Sequence, residues 1–210
     1  MKLEAVFFDF DGVICDSVNI KSQAFAEIYR EYGKEIEDKV VKYHLQNGGV
    51  SRYEKFTFWH KEYLNKELQI NQLEELAMRF SKLVFKKILN ARFIDGAIET
   101  LEELKKNKTP AYVVSATPEN ELKKIIKKRK LENLFTKVYG SPKSKNIIVK
   151  EILDVEKYNP SKCLFIGDAL SDLKAAQSNK IHFLGIYHND NDNIFPKTTR
   201  VSRIVSVLDF

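Results

Sequence analysis

Residues 6–17 read VFFDFDGVICDS. An apolar run, Val6 to Phe8, ends in two acids, Asp9 and Asp11, one residue apart. Burying an isolated carboxylate is strongly unfavourable unless it is paired, so two of them closing one apolar strand require an explanation. In a strand, residues i and i+2 point the same way, and Gly12 lets the chain turn sharply just after them. Either a cation sits between the two acids, or one of them is held protonated by its neighbour.

The stretch also sets the organisation of the chain. Residues 2–8 (KLEAVFF) read as a strand, and from residue 94 onward helix and strand patterns alternate. GAIETLEELKKN places Ala97, Leu101 and Leu104 on one helical face, and AYVVS follows as a buried strand. In TPENELKKIIKK, Thr117 reads as a helix cap and Pro118 as the first helical residue. A strand near KVYG, a helix through NIIVKEIL, a strand CLFIG, a helix through LKAAQS and a strand IHFLGIY complete the series. Such alternation predicts an α/β fold, a Rossmann-like parallel sheet with helices on both faces.

Residues 17–92 differ, with long helical patterns and no convincing strand. Three apolar faces recur there: Phe25, Ile28, Tyr29 and Tyr32; Phe56, Trp59, Tyr63 and Leu64; Leu73, Leu76, Ala77, Phe80 and Val84. These predict a helical unit inserted between the first strand and the first core helix, its aromatic stripes forming a bundle core. The expected division is a catalytic core of residues 1–16 and 93–210 with a helical cap of residues 17–92.

Ligands of open parallel sheets bind beyond the carboxyl ends of the strands. The first strand ends in Asp9 and Asp11, the second in Ser115, the third leads through GSPKSK into a helix, and the fourth ends in Gly167 and Asp168, with Asp172 four residues on. Clustered carboxylates repel one another unless a cation sits among them, and an all-oxygen set suits a hard ion such as Mg²⁺. Lys145 lies beside the predicted start of a helix, where the macrodipole disfavours a cation. A bound phosphate would relieve that conflict, although Lys143 competes for the same role.

In order, DFDGVICDS, VVSAT, GSPKSK and IGDALSD resemble the four motifs of the haloacid dehalogenase superfamily. The helical insertion resembles the cap of its phosphoglycolate phosphatase and β-phosphoglucomutase branch. The resemblance implies a Mg²⁺-dependent phosphatase acting on a small phosphate monoester through an aspartyl phosphate. Asp9 would be the nucleophile and Asp11 the acid and then the base. Ser115, Ala116 and Lys145 would bind the phosphoryl group. Asp9, Asp11 (through its main-chain carbonyl), Asp168 and Asp172 would hold the ion. In the cap, HLQNGGVSRYEKF resembles a specificity loop, with Gly49, Arg52 and Lys55 as substrate contacts. The alternatives are a phosphomutase, which shares every catalytic residue, and a non-catalytic nucleic-acid-binding protein.

Composition bounds these readings. The chain has 210 residues, 43% of them hydrophobic, and a formal net charge of +6. That length suits a core with one inserted unit. Much of the positive excess sits in KKIIKKRK, residues 123–130, whose isoleucines continue the apolar face of Leu122. It reads as a solvated helix face, with no nucleic acid implied. No apolar run is long enough to span a membrane, and the acids in the first apolar stretch argue against a signal peptide. Cys15 and Cys163 lack metal or redox spacing and suit a reducing cytoplasm. His44, His60, His182 and His188 show no metal spacing, and HNDNDNIFP, residues 188–196, reads as a surface loop. The partner expected is a small molecule, with no nucleic acid and no membrane; the sequence leaves the choice between monomer and dimer open.

Overall fold

A computed structural model of the chain describes residues 2–188 and 193–207; part of the polar 188–196 stretch therefore lies outside the described residues. A six-stranded parallel sheet is built from β1 (Ala5–Phe8), β2 (Ala111–Pro118), β3 (Lys137–Ser141), β4 (Cys163–Gly167), β5 (His182–Ile186) and β6 (Val201–Ser202), in the order β3-β2-β1-β4-β5-β6. β1 lies in the interior of the sheet, between β2 and β4. A strand buried on both faces must be apolar throughout, and all four residues of β1 are buried. Alternation then sorts them. Val6 and Phe8 join the core that includes α5 (Ala97–Lys106) and α6 (Glu119–Lys128). Ala5 and Phe7 join the opposite core, with α7 (Lys145–Glu156) and α8 (Leu170–Ser178). The first strand is shorter than the sequence predicts because Glu4 turns its carboxylate to the Asn159 amide and Lys2 is exposed.

Four helices fill the insertion: α1 (Val18–Tyr29), α2 (Lys34–Gln46), α3 (Arg52–Leu64) and α4 (Ile70–Leu89). Their apolar stripes meet in one aromatic cluster. Phe25 stacks on Phe80 with ring centroids 4.1 Å apart and meets Trp59 edge-on at 4.9 Å, and Tyr29 meets Trp59 edge-on at 5.4 Å. Fully buried aromatic pairs of this kind add about 0.5–1.5 kcal/mol each beyond their area. Tyr32 of the first stripe lies just past α1, in a 3₁₀ turn (Arg30–Tyr32), and is only half-buried.

The chain enters and leaves the insertion through segments that touch. Cys15 and Phe93 form an antiparallel bridge, the Asp16 amide donates to the Arg92 carbonyl at 2.9 Å, and the Ile94 amide donates to Ile14 at 3.1 Å. Arg129, just past α6, fastens this pair. Its guanidinium donates to the carbonyls of Ile88 and Ala91 at 2.8 and 2.7 Å, lies 2.9 Å from the Cys15 sulfur and covers the Phe93 ring. The basic run 123–130 is thus a solvated face at its lysines only, with Leu122, Ile125 and Ile126 turned inward as predicted.

Candidate active site

Asp9, Ser115 and Asp168 reach one edge of the sheet because β1, β2 and β4 are parallel neighbours whose carboxyl ends face the same way. Asp9 receives the Phe10 amide at 2.6 Å and the Lys145 ammonium at 2.6 Å. Lys145, the first residue of α7, also donates to Asp172 at 2.6 Å. The other Asp172 oxygen accepts the Ala169 amide at 3.1 Å and closes the first turn of α8. Lys143, the rival lysine, is exposed and paired with Glu151. Of the two lysines, Lys145 is the one that lies among the acids.

Oxygens of Asp9, Asp168 and Asp172 lie within 4.8 Å of one another. Burial pushes the Asp168 carboxyl well above the usual carboxylate range, and the charges of Asp9 and Asp172 push it the same way. Burial also raises Asp172, to about 7, against the opposing pull of Lys145. Burial disfavours the Lys145 cation, yet Asp172 and Asp9 outweigh it and hold its pKa above the usual lysine value. One ammonium thus serves three carboxyl groups, whose full ionisation the fold opposes and whose donor atoms are all oxygen. That donor chemistry fits a hard divalent cation. Gly12 contributes by what it lacks: at φ +78 a Cβ there would run into the Asp168 carboxylate.

Asp11 stands outside this triad. Its carboxylate accepts from Ser17 Oγ at 2.6 Å, from Thr117 Oγ1 at 3.0 Å and from the Lys21 ammonium. Burial works against ionising Asp11, but Lys21, Ser17 and Thr117 together more than offset it and hold its pKa below the usual value. The two acids that share a strand end therefore sit in opposite environments. Thr117 is not the helix cap that its sequence position suggests: β2 runs on to Pro118, α6 starts at Glu119, and the Thr117 hydroxyl is used on Asp11. Ser17, at the N-cap position of α1, likewise makes no side-chain capping bond and turns to Asp11. Ser115 is buried, its Oγ accepting the Thr117 amide at 3.1 Å.

The insertion covers this edge and closes a cleft lined by Asp9, Asp11, Ser115, Ala116, Thr117 and Asp168 on one side and by Lys21, His44, Gly49, Arg52 and Lys55 on the other. The loop between α2 and α3 reaches down to the sheet edge, where Ser171 Oγ donates to the Gly48 carbonyl at 3.3 Å. Gly49, at φ +74, has no room for a side chain beside Ser171. Lys55 is buried and shares a 2.7 Å hydrogen bond with His44 Nδ1. Burial, and then Lys21, lower its pKa to about 7, against the pull of Asp11 and Asp168. Burial and Lys55 lower His44 well below its usual value.

Arg52 lines the cleft from the cap side. The sequence reading pairs it with an anion on the substrate, but its carboxylate partner is the chain's own Glu121, on α6. The two make a two-point pair at 2.8 and 2.9 Å, with Ser81 bonded to the Arg52 guanidinium at 2.6 Å. Arg52 also lies over the Phe80 ring. Lys21, Thr117 and Glu121 are the residues that sequence reasoning missed as parts of the site. Both cysteines are free and buried, as expected, and burial pushes their thiols up to about 11 (Cys15) and about 12 (Cys163). Among the described residues, no helix is long and apolar enough to cross a membrane.

Comparison with known proteins agrees with this architecture. A phosphorylated carbohydrates phosphatase from Thermotoga maritima is 28% identical over 203 residues, covering 90% of this chain and 88% of its own. A phosphoglycolate phosphatase from Mannheimia succiniciproducens is 24% identical, covering 92% and 89%. Among solved structures, β-phosphoglucomutase from Clostridium difficile superposes with a TM-score of 0.76 at 22% identity, over 95% of this chain and 90% of that one. The family model of the haloacid dehalogenase-like hydrolases matches residues 6–186, and the chain belongs to that family.

Proposed function

We propose that the protein is a phosphatase of small phosphate monoesters, with residues 17–92 acting as a cap over a core of residues 1–16 and 93–210. The observation that carries this reading is the division of labour between Asp9 and Asp11. Asp9 is held against Lys145 within the acidic triad, while Asp11 is held apart by Lys21, Ser17 and Thr117. In the proposed reaction an Asp9 oxygen bonds to phosphorus as the ester bond breaks. Lys145 and Ser115, with the main chain near Ala116, hold the phosphoryl oxygens and stabilise charge on them. Asp11 is ionised in the free site; the charge of an arriving phosphate raises its pKa, and the proton it takes up passes to the leaving oxygen. Asp11 then draws a proton from water as that water attacks the aspartyl phosphate, which releases inorganic phosphate and restores Asp9.

The acidic triad fits Mg²⁺. Asp9 and Asp168 would ligate it, with the Asp11 main-chain carbonyl, and Asp172 would support the cluster through Lys145 and the Ala169 amide. When bound, the ion supplies positive charge to the phosphoryl group. The relatives from Thermotoga and Mannheimia, with names that specify phosphorylated carbohydrates and phosphoglycolate, favour a small phosphorylated metabolite as substrate. The test is phosphate release over a metabolite panel with Mg²⁺. Asp9→Asn is expected to abolish release while leaving the thermal transition in place; full activity in that variant ends the proposal. Isomerised sugar phosphate in place of free phosphate would identify a mutase.

A further inference from the structure

Each cation of the site already has a partner within the chain. Lys145 bonds Asp9 and Asp172, Lys21 bonds Asp11, Lys55 bonds His44, and Arg52 bonds Glu121. Of these, Arg52 has the geometry to receive a second anionic group on a substrate: it lines the cleft from the cap side, and a guanidinium binds carboxylate or phosphate at two points. Both of those points are filled by Glu121. The pair is nearly enclosed, with side chains 4% and 12% exposed, and Ser81 and the Phe80 ring fix the guanidinium in place. Glu121 stays ionised there: burial opposes its charge, but the hydrogen bonds and charge of Arg52 prevail and hold its pKa below the usual value. A substrate anion taking over Arg52 would leave the buried Glu121 carboxylate facing a like charge with only the Ser81 hydroxyl, which donates to it at 2.5 Å, as a partner, a strongly unfavourable arrangement.

We infer that Glu121 determines specificity: by occupying Arg52 it withholds the cap's two-point anion site, so that the cleft selects phosphate monoesters whose leaving group is uncharged. This deepens the phosphatase reading and rests on it for the identity of the cleft as a substrate site. Glu121 acts through Arg52 and touches no reacting atom. It is therefore a positioning residue, and its removal must change the choice between substrates rather than the rate alone.

The test uses two phosphate monoesters of similar size, 2-hydroxyethyl phosphate and 2-phosphoglycolate, the second carrying an additional carboxylate. Binding is measured by calorimetry in an Asp9→Asn background with Mg²⁺ present, so that turnover does not interfere. The starting protein is expected to bind 2-hydroxyethyl phosphate at least as tightly as 2-phosphoglycolate. Glu121→Gln is expected to move the ratio about tenfold toward 2-phosphoglycolate, and adding Arg52→Gln to it is expected to erase the gain. Three results overturn the inference: a starting preference for 2-phosphoglycolate, which would assign the second anion to Lys55 or to an Arg52 that releases Glu121; an unchanged ratio in Glu121→Gln; or a gain that survives loss of Arg52. The first needs no variant, so a Glu121 substitution that fails to fold does not protect the inference. Phosphate release is followed in parallel with Asp9 intact. Its absence alongside the expected binding ratios would sink the proposed reaction and leave the specificity assignment standing.

Discussion

Lys55 sits in the cleft at the expense of the fold. It is 2% exposed, and its ammonium shares a hydrogen bond with a neutral-leaning imidazole rather than with a carboxylate. Because its folded pKa falls to about 7, the unfolded chain binds the extra proton between about pH 7 and the free-lysine value near 10.4. Stability therefore rises with pH across that window, by at most about 1.4 kcal/mol per unit. Replacing the lysine with an uncharged chain of similar shape removes this dependence. Lys55→Met is expected to melt higher than the unaltered protein at pH 7, with the gap narrowing as pH approaches 10; parallel melting curves from pH 6 to 10 check it, and a gap that widens with pH refutes it. At this scale the sequence was informative where a residue lacked a local reason. Acids at the end of an apolar strand have none, so Asp9, Asp11 and Asp168 stood out. Lys21 and Glu121 did not, because a lysine on a helix and an acid in a helix's first turn are already accounted for by solvation and the macrodipole. Their partners, Asp11 and Arg52, are 10 and 69 positions away, a pairing that only the fold creates.

Helix α6 shows the same limit for an element. Its periodicity correctly assigned Leu122, Ile125 and Ile126 to the core. It gave no sign that Arg129, the seventh residue of a basic run, would leave the solvated face and fasten the linkers. Three donations and a ring contact converge on that guanidinium. Arg129→Leu is expected to lower stability by about 2 kcal/mol. Hydrogen exchange should quicken first at residues 14–17 and 88–94; uniform exchange across the chain would mean that the arginine has no local role. At its other end, α6 begins one residue later than the Thr117–Pro118 signal suggests. The hydroxyl is claimed by Asp11, and β2 extends to pair Pro118 with Ser141. Local capping rules lose when a tertiary partner competes for the same oxygen.

For the molecule as a whole, the acidic triad predicts that ion binding and folding are linked. Cations that bind only the folded chain stabilise it by RT ln(1 + [L]/Kd), about 2.7 kcal/mol at a hundredfold excess over Kd. For a chain of this size that is a rise in melting temperature of roughly 5–10 °C. Mg²⁺ is expected to produce such a rise at neutral pH and a chelator to reverse it. Asp168→Asn should melt higher than the unaltered protein without metal, since it removes an acid whose ionisation burial and its acidic neighbours oppose, and should lose most of the Mg²⁺ response. A Mg²⁺ shift that is unchanged in Asp168→Asn would place the ion elsewhere. The α/β order and the inserted helices were legible because periodicity is a property of short segments. The closure of the cleft was not, because it depends on contacts between segments far apart in the chain.

The two linkers lie side by side and are fastened at one point, and this limits how the helical insertion can move. A body tethered at a single narrow joint swings; it does not slide. Arg129 marks the joint and Glu121 the rim. Eight residues of helix separate them, about 12 Å at 1.5 Å per residue. On that lever arm a turn of only about 15° moves the rim by roughly 3 Å, while the joint itself barely shifts.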